Sequence, residues 1–567
     1  MNSNRFASRS ALLILQACCV SLLSGQALAQ QSPTAGTILE SVRAAPAEPR
    51  PDAQVIENKP AAEAPAPVPT GATRFHVNGY RFIGNTVFGE PVLFALLREH
   101  VGTDVTLDGL NEIAETIKAY YRDHHYFLAQ AYIPPQRIAD GRVEIRILEG
   151  RLGKADIRMD EKTRLKPSVA RNYLSAMMPA GSIVTETGIE KPLLLINDLP
   201  GVIVHSTLKP GVEMGSADMD VVIGDVGRRF DGSVQGDNMG NRNSGRNRLG
   251  ATVNASNLTG MGDLFTLRGL MSDKFETTLG QLSYTMPVGP YGTKLTGSYY
   301  DLTYKLGGAF AAEQADGDAR VYVVNVQHPV HRSRNYNLFA QAGIEDKTLT
   351  DKLYDGANVE KQKVNDVYLG LNGDARDGLF GGALNTFSTT FYTGRLKIPE
   401  GVSNDTYSTL GDFSKVVFGF NRLQNLVSNT SLLLSARGQA AARNLTSEEK
   451  MSLGGPDGVR GHPVGDSPGD NVFLGTLELR LVIPGVKPLG GVLQFSAFHD
   501  FGYSRLNNDP LPTDTGNIRV LKSLGVGVNL GRRDDFQFKL ELAFRKGEHS
   551  LDNDGASRVW AQVTKWF

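Results

Sequence analysis

Only two cysteines occur in 567 residues, and both, Cys18 and Cys19, lie within the first 29. That stretch reads as a secretory leader. Arg5 and Arg9 form its positive end, residues 11–23 its apolar core, and Ala27-Leu28-Ala29 a small-x-small cleavage site before Gln30. Cleavage there leaves a chain without cysteine, which excludes disulfide bracing and thiolate catalysis. The rival reading is a lipoprotein box, Leu15-Gln16-Ala17-Cys18, to which Gln16 is poorly suited. The apolar core is too short to span a bilayer as a helix, and no later run of 18 apolar residues exists, so spanning helices are excluded. A formal net charge of -1 provides no global basic field for nucleic acid.

Catalytic patterns are absent as well. There is no Gly-x-Ser-x-Gly elbow and no phosphate-binding loop. His124-His125 has no third ligand at metal spacing and reads as a helix-end pair. Asp552-Asn553-Asp554-Gly555 lacks the Glu of a calcium loop and reads as a turn, while Asp218 and Asp220 read as solvent-facing strand residues. An enzyme is not implied, nor any metal or cofactor.

What is present is glycine, 62 residues, with Tyr and Phe (18 and 25) far ahead of Trp (2), a usage suited to short strands and tight turns. Residues 30–73 are rich in Ala and Pro, the composition of a linker. Within them, residues 37–43 fit two helical turns, either a nascent helix in a tail or a movable plug. Residues 74–152 predict β-α-α-β-β. A strand at 75–82 leads to a helix over 90–100 with Val92, Leu96 and Leu97 on one face. A second helix starts at Asp108 as N-cap, carrying Leu110, Ile113, Ile117 and Tyr120, and strands follow at 127–133 and 143–148. Residues 153–226 repeat that order, with helices at 167–177 and 187–197 and strands at 154–158, 203–208 and 217–223.

From 227 to 567 the chain reads as sixteen alternating segments. They begin near 229, 247, 263, 277, 293, 320, 335, 362, 384, 412, 428, 472, 490, 518, 535 and 556. In the clearest, Phe536, Phe538, Leu540, Leu542 and Phe544 face one way and Gln537, Lys539, Glu541 and Arg545 the other. Glu478 and Arg480 share the polar side of an earlier segment. Such charges are costly in a dry sandwich core and at ease in a wet lumen. An exported chain whose backbone must satisfy itself in lipid closes into a barrel, here with an even strand number. The fold expected is an all-β transmembrane barrel of 16 antiparallel strands behind two small α+β domains. Late connections alternate between tight and long, which places the loop between strands eleven and twelve, residues 444–471, on the outer side.

That loop contains Gly454-Gly455-Pro456-Asp457-Gly458-Val459-Arg460-Gly461-His462. Composition alone permits an ordinary surface turn. The sharper reading folds the loop back into the lumen, where Arg460 needs a carboxylate. Asp500 offers one, because it shares the inward face of its strand with Gln494 and Ser496.

Several motifs, in order, resemble those of the two-partner secretion transporters, which export filamentous haemagglutinins and haemolysins. Residues 126–136, Tyr-Phe-Leu-Ala-Gln-Ala-Tyr-Ile-Pro-Pro-Gln, are similar to the signature of the first POTRA domain of that family. Residues 193–202, with 208–211 and 215–218, are similar to the second. Asp237-Asn238 with Gly240, residues 260–263 and residues 284–292 match the early barrel. Val459, Arg460 and Gly461 match the lumen-loop motif, and Phe498, Asp500 and Gly502 its barrel-wall partner. The family has Tyr or Phe where this chain has His462. Lys565 also departs, at an outward position usually apolar or aromatic, whereas the terminal Phe567 fits the barrel-assembly signal.

The resemblance implies a transporter in the outer membrane with POTRA domains at 74–152 and 153–226 in the periplasm. Its partners would be outer-membrane lipid, the barrel-assembly machinery and a large unfolded TpsA-type exoprotein. Tyr132, Pro134, Pro135, Gln136, Leu199, Pro200 and Gly201 become candidate client-binding residues, and the helix near 37–43 a candidate plug. An insertase of the same superfamily, normally with more POTRA copies, and a passive porin-like channel are the alternatives.

Overall fold

The computed structural model describes residues 33–42, 56–57, 74–138, 140–226, 228–400, 405–547 and 555–567. The leader, most of the linker and the turn at Asp552 lie outside the described residues.

Sixteen antiparallel strands, from Phe230–Asp237 to Ser557–Trp566, close into one barrel. The closing seam is short, running from Ser233 opposite Trp566 to Asp237 opposite Gln562. Beyond it, the Phe567 amide donates to Gly232 O at 3.0 Å, extending the seam by one residue. Alternation produces the barrel. Along the fifteenth strand, Phe536–Lys546, Phe538, Leu540 and Phe544 are exposed, while Glu541 and Ala543 are buried. Exposed Leu477, Leu479 and Leu481 repeat the pattern on the twelfth, Asn471–Val482, with Glu478 buried. The apolar positions form a lipid-facing band and the charged ones line the lumen.

The expected strand starts depart most at the sixth and eighth strands, Asp316–Arg332 and Asn358–Asp377, each of which begins four residues earlier than read. Their outer ends, Asp316-Gly317-Asp318 and Asn358-Val359-Glu360-Lys361, are too polar for an apolar-band pattern but still pair in the ladder. Lys565 is exposed at the periplasmic rim and pairs with Asp535 of the preceding turn. No helix among the described residues is long and apolar enough to cross a membrane.

Ahead of the barrel stand two small α+β units with one sheet order. In each, the first strand runs parallel to the third and the third antiparallel to the second: Gly79–Ile83 with Arg142–Leu148 and Gln130–Tyr132, then Arg151–Met159 with Ser216–Asp225 and Val202–Pro210. Details in the first unit differ from expectation. The long helix spans Leu107–Asp123 and is capped by Thr106, whose hydroxyl accepts from Gly109 N at 3.2 Å, not by Asp108. A strand at Thr103–Thr106 brings Thr106 to that position. The shorter helix, Glu90–Leu96, turns Leu93 and Leu97 inward and leaves Val92 exposed.

Glu149 organises the first unit. It is 4% exposed and accepts from Thr86 N at 2.6 Å, Val87 N at 2.7 Å and the Tyr121 hydroxyl at 2.9 Å. Burial opposes its ionisation, but these donors outweigh burial and hold the carboxyl below its usual range. Its stabilising contribution is therefore complete above the unfolded value, about 4.3, and lost as pH falls through the lower folded value. Glu149→Gln should cost about 1–3 kcal/mol, read as faster amide exchange at Thr86 and Val87 in the full-length protein at neutral pH. The variant and the parent should converge only as pH falls through the lowered folded value.

Candidate functional site: a loop anchored inside the barrel

The connection between the eleventh strand, Thr430–Ala441, and the twelfth turns inward and folds on itself within the lumen. Met451 and Gly469 exchange backbone hydrogen bonds at 3.2 and 2.9 Å, and Val459 N donates to Leu453 O at 2.8 Å. Gly455 permits the reversal at φ +124°. The result is a hairpin that carries Arg460 at its tip.

Arg460 is 5% exposed and saturated with acceptors. Nε donates to Asp500 Oδ2 at 3.0 Å and Nη2 to Asp500 Oδ1 at 2.8 Å, a bidentate fork. Nη1 donates to Glu478 Oε2 and to Glu541 Oε1, each at 2.8 Å. The guanidinium carbon lies 3.3 Å from the centre of the Phe498 ring. Trp560 Nε1 closes the arrangement with a bond to Arg460 O at 2.8 Å. Asp500 also accepts from Thr476 at 3.0 Å and Ser523 at 2.8 Å. Three carboxylates face Arg460, with Arg480 on Glu478 and Lys539 on Glu541, so the cluster balances at three charges of each sign. Glu478, Glu541 and Trp560 had no role in the sequence reading beyond an inward direction for the two acids.

The flanking glycines are fixed by space. A Cβ on Gly461 would sit 2.9 Å from Ser523 Cβ and 3.0 Å from Arg545 backbone atoms. One on Gly502 would press on Val459 Cγ2 at 2.8 Å, and one on Gly525 would enter the Phe498 ring. Thus Phe498 stacks on the arginine, Asp500 binds it and Gly502 admits Val459, all from alternate positions of the thirteenth strand, Val492–Arg505. His462 is buried. Its Nδ1 lies 3.2 Å from Asp466 Oδ2, and its Nε2 meets no hydrogen-bond partner among the described residues.

A second insert shares the lumen. The helix Ala35–Val42, α1, buries Ala35, Ile38, Leu39 and Val42 against Leu270, Leu279, Leu302, Tyr304 and Leu349 of the wall. Asp351 accepts from Ala35 N at 2.8 Å at its positive end, and Arg248 reaches Ser41 O at 3.4 Å at its negative end. Thr34 Oγ1 lies 2.8 Å from Ser447 Oγ of the lumen loop.

The periplasmic candidates separate into different environments. Gln136 is used internally: its amide donates to Glu144 O at 2.8 Å and accepts from Glu144 N at 2.7 Å, closing the sheet where the chain leaves the edge strand. Pro134 is buried and Pro135 exposed, while Tyr132 points its hydroxyl at Met214 Sδ, 3.9 Å away. Leu199 is 2% exposed and lies against the barrel turn at Gly262, with Pro200 and Gly201 beside it. The surrounding bonds form a joint: Asp198 with Arg332 at 2.8 Å, Glu190 with Arg334 at 2.9 Å and Lys166 N with Gly260 O at 2.8 Å. The client-binding candidates Leu199, Pro200 and Gly201 thus lie where the second unit meets the barrel. His125 pairs with Glu186 at 3.2 Å between the two periplasmic units.

The family model described as haemolysin secretion/activation protein ShlB/FhaC/HecB matches residues 215–530, more than half of the chain, and the ShlB-type POTRA domain matches 75–150. The chain belongs to the haemolysin secretion/activation family. It is 28% identical over 477 residues, 83% of each chain, to the heme/hemopexin transporter protein HuxB of Haemophilus influenzae strain 86-028NP. It is 25% identical to the outer membrane transporter CdiB of Dickeya dadantii, covering 68% of this chain and 69% of that one. The fold matches CdiB from Escherichia coli with a TM-score of 0.73 at 19% identity, covering 89% of this chain and 93% of that one. Members of the haemolysin secretion/activation family are transporters. This one is an outer-membrane β-barrel transporter of two-partner secretion, with POTRA domains on the periplasmic side.

Proposed function

We propose that the chain takes one large TpsA-type exoprotein in extended form at its periplasmic domains and passes it through the lumen, with the Arg460 cluster holding the lumen loop in the seated position that export requires. The carrying observation is that two inserts, α1 and the lumen loop, lie inside the barrel and are tied to its wall by ion pairs and hydrogen bonds. Such ties have defined partners and can be exchanged, unlike the continuous ladder around them. A permanent pore has no use for that arrangement, and a solute channel has no use for two client-sized periplasmic modules.

Capture follows from sheet edges. The outer edge of Val202–Pro210 already accepts an added strand from this chain's own linker, Ile56 opposite Ser206 and Glu57 opposite Thr207. A client strand placed there uses the same backbone bonds. Tyr132 and Pro135, together with the exposed Val212 and Met214, offer apolar surface for client side chains. Insertion of the barrel itself is assigned to the assembly machinery, with Phe567 as the signal.

Removing the protein from its own cell should leave a single large exoprotein missing from the surface and accumulated in the periplasm, with outer-membrane barrels at normal abundance. Quantitative proteomics of surface, periplasm and outer membrane reads this directly. A broad fall in barrel proteins would instead identify an insertase.

A further inference from the structure

The Arg460 cluster holds only one limb of the lumen loop. Its partners lie on the twelfth to sixteenth strands, yet α1 rests on the opposite limb, residues 447–452. Three observations place it there. A Cβ on Gly36 would collide with Glu448 Cβ and its backbone, so helix and loop are in direct backbone contact. Thr34 meets Ser447, and the Glu40 carboxylate accepts from Ser452 N at 3.3 Å and Ser452 Oγ at 3.2 Å.

That limb has its own attachment. Glu449, 1% exposed at the end of the single 3-10 turn Ser447–Glu449, binds Lys347 Nζ at 2.6 Å and Lys415 Nζ at 2.7 Å. Its carbonyl accepts from Lys415 at 2.8 Å and from Gln439 Nε2 at 2.9 Å. Lys347 also binds Glu345 at 3.0 Å and Asp366 at 2.9 Å. The two lysines stand on the seventh and tenth strands, Tyr336–Leu353 and Gly411–Val427, outside the run of twelfth to sixteenth strands that holds Arg460. The loop is therefore a bridge with an anchor at each end, and the helix leans on the Glu449 end.

We infer that Glu449, clamped by Lys347 and Lys415, is a second anchor of the lumen loop and the positioning residue that keeps α1 seated in the closed barrel. The charge count favours testing it from the loop side. Without Glu449, Lys347 and Lys415 still balance Glu345 and Asp366 in number, whereas losing either lysine would leave Glu345, Asp366 and Glu449 to share the other. Because the inference concerns closure, it is read without any client, and its outcome is separable from that of the export proposal.

The test is ionic conductance of the purified full-length protein in planar bilayers, with Glu449→Lys placing a third cation between the two lysines. The expected result is at least a tenfold rise in the frequency of open events, while heat-modifiability on gels stays that of an intact barrel. The same substitution in a chain lacking residues 35–42 should add no further opening, because the helix it seats is gone. Wild-type closure in Glu449→Lys overturns the inference, and so does an equal rise in the chain without the helix. Should Glu449→Lys fail to assemble, Glu449→Gln decides: a twofold or greater rise supports the anchor, and a trace identical to the parent overturns it.

Discussion

Arg460→Ala should reduce export to roughly a hundredth of the parent or less, while the barrel remains inserted and heat-modifiable. The side chain is buried against three carboxylates, and breaking such a group by deleting one partner costs about 3–5 kcal/mol, or roughly 10²–10⁴ in the population of the seated loop. Asp500, Glu478 and Glu541 would be left with only Arg480 and Lys539, and Trp560 would lose the fixed carbonyl it binds. None of the barrel's sixteen strand pairings uses Arg460, so the ladder persists. Arg460→Lys should recover only part of the loss. One ammonium cannot make the fork to Asp500 and also reach Glu478 and Glu541, nor stack its plane on Phe498. The check is quantitative immunoblotting of client outside the cell, with surface protease accessibility confirming insertion.

The barrel was legible because its physics is local. Period-two alternation with Lys, Glu and Arg on one side suits only a wet interior, and it located all sixteen strands from Phe230 to Trp566. Parity carried some of the site too. Asp500 could be read as inward because Ser496 and Gln494 lie two and three alternations before it, and the parity of connection lengths made the 444–471 segment an outer loop. Which inward groups meet that loop was not legible. Glu478, Glu541 and Trp560 come from the twelfth, fifteenth and sixteenth strands, and they converge on Arg460 only through closure and tilt. Glu449 had no signal, since Ser447-Glu448-Glu449-Lys450 reads as a solvated loop and its burial depends on lysines 102 and 34 residues away. The neighbour of Leu199, a client-binding candidate from the resemblance alone, was not legible either, because Gly262 belongs to a turn distant in sequence. Thr106 displaced Asp108 as N-cap because an unread four-residue strand delivers the chain to the helix two residues earlier.

The account's central claim is that the client passes through the space α1 occupies, so the helix must move for export to proceed. Cysteines placed at Thr34 and Ser447 test this most directly, because their hydroxyl oxygens lie 2.8 Å apart and the only native cysteines, Cys18 and Cys19, precede the expected cleavage site. Oxidation of the Thr34→Cys/Ser447→Cys chain should tie the helix to the loop and cut export of the client to roughly a tenth or less, below the tenfold step that about 1.4 kcal/mol represents. Reduction should restore it to the level of either single variant. Undiminished export by protein shown to be fully cross-linked would contradict the claim, since the client would then be leaving past a helix that has not detached from the loop.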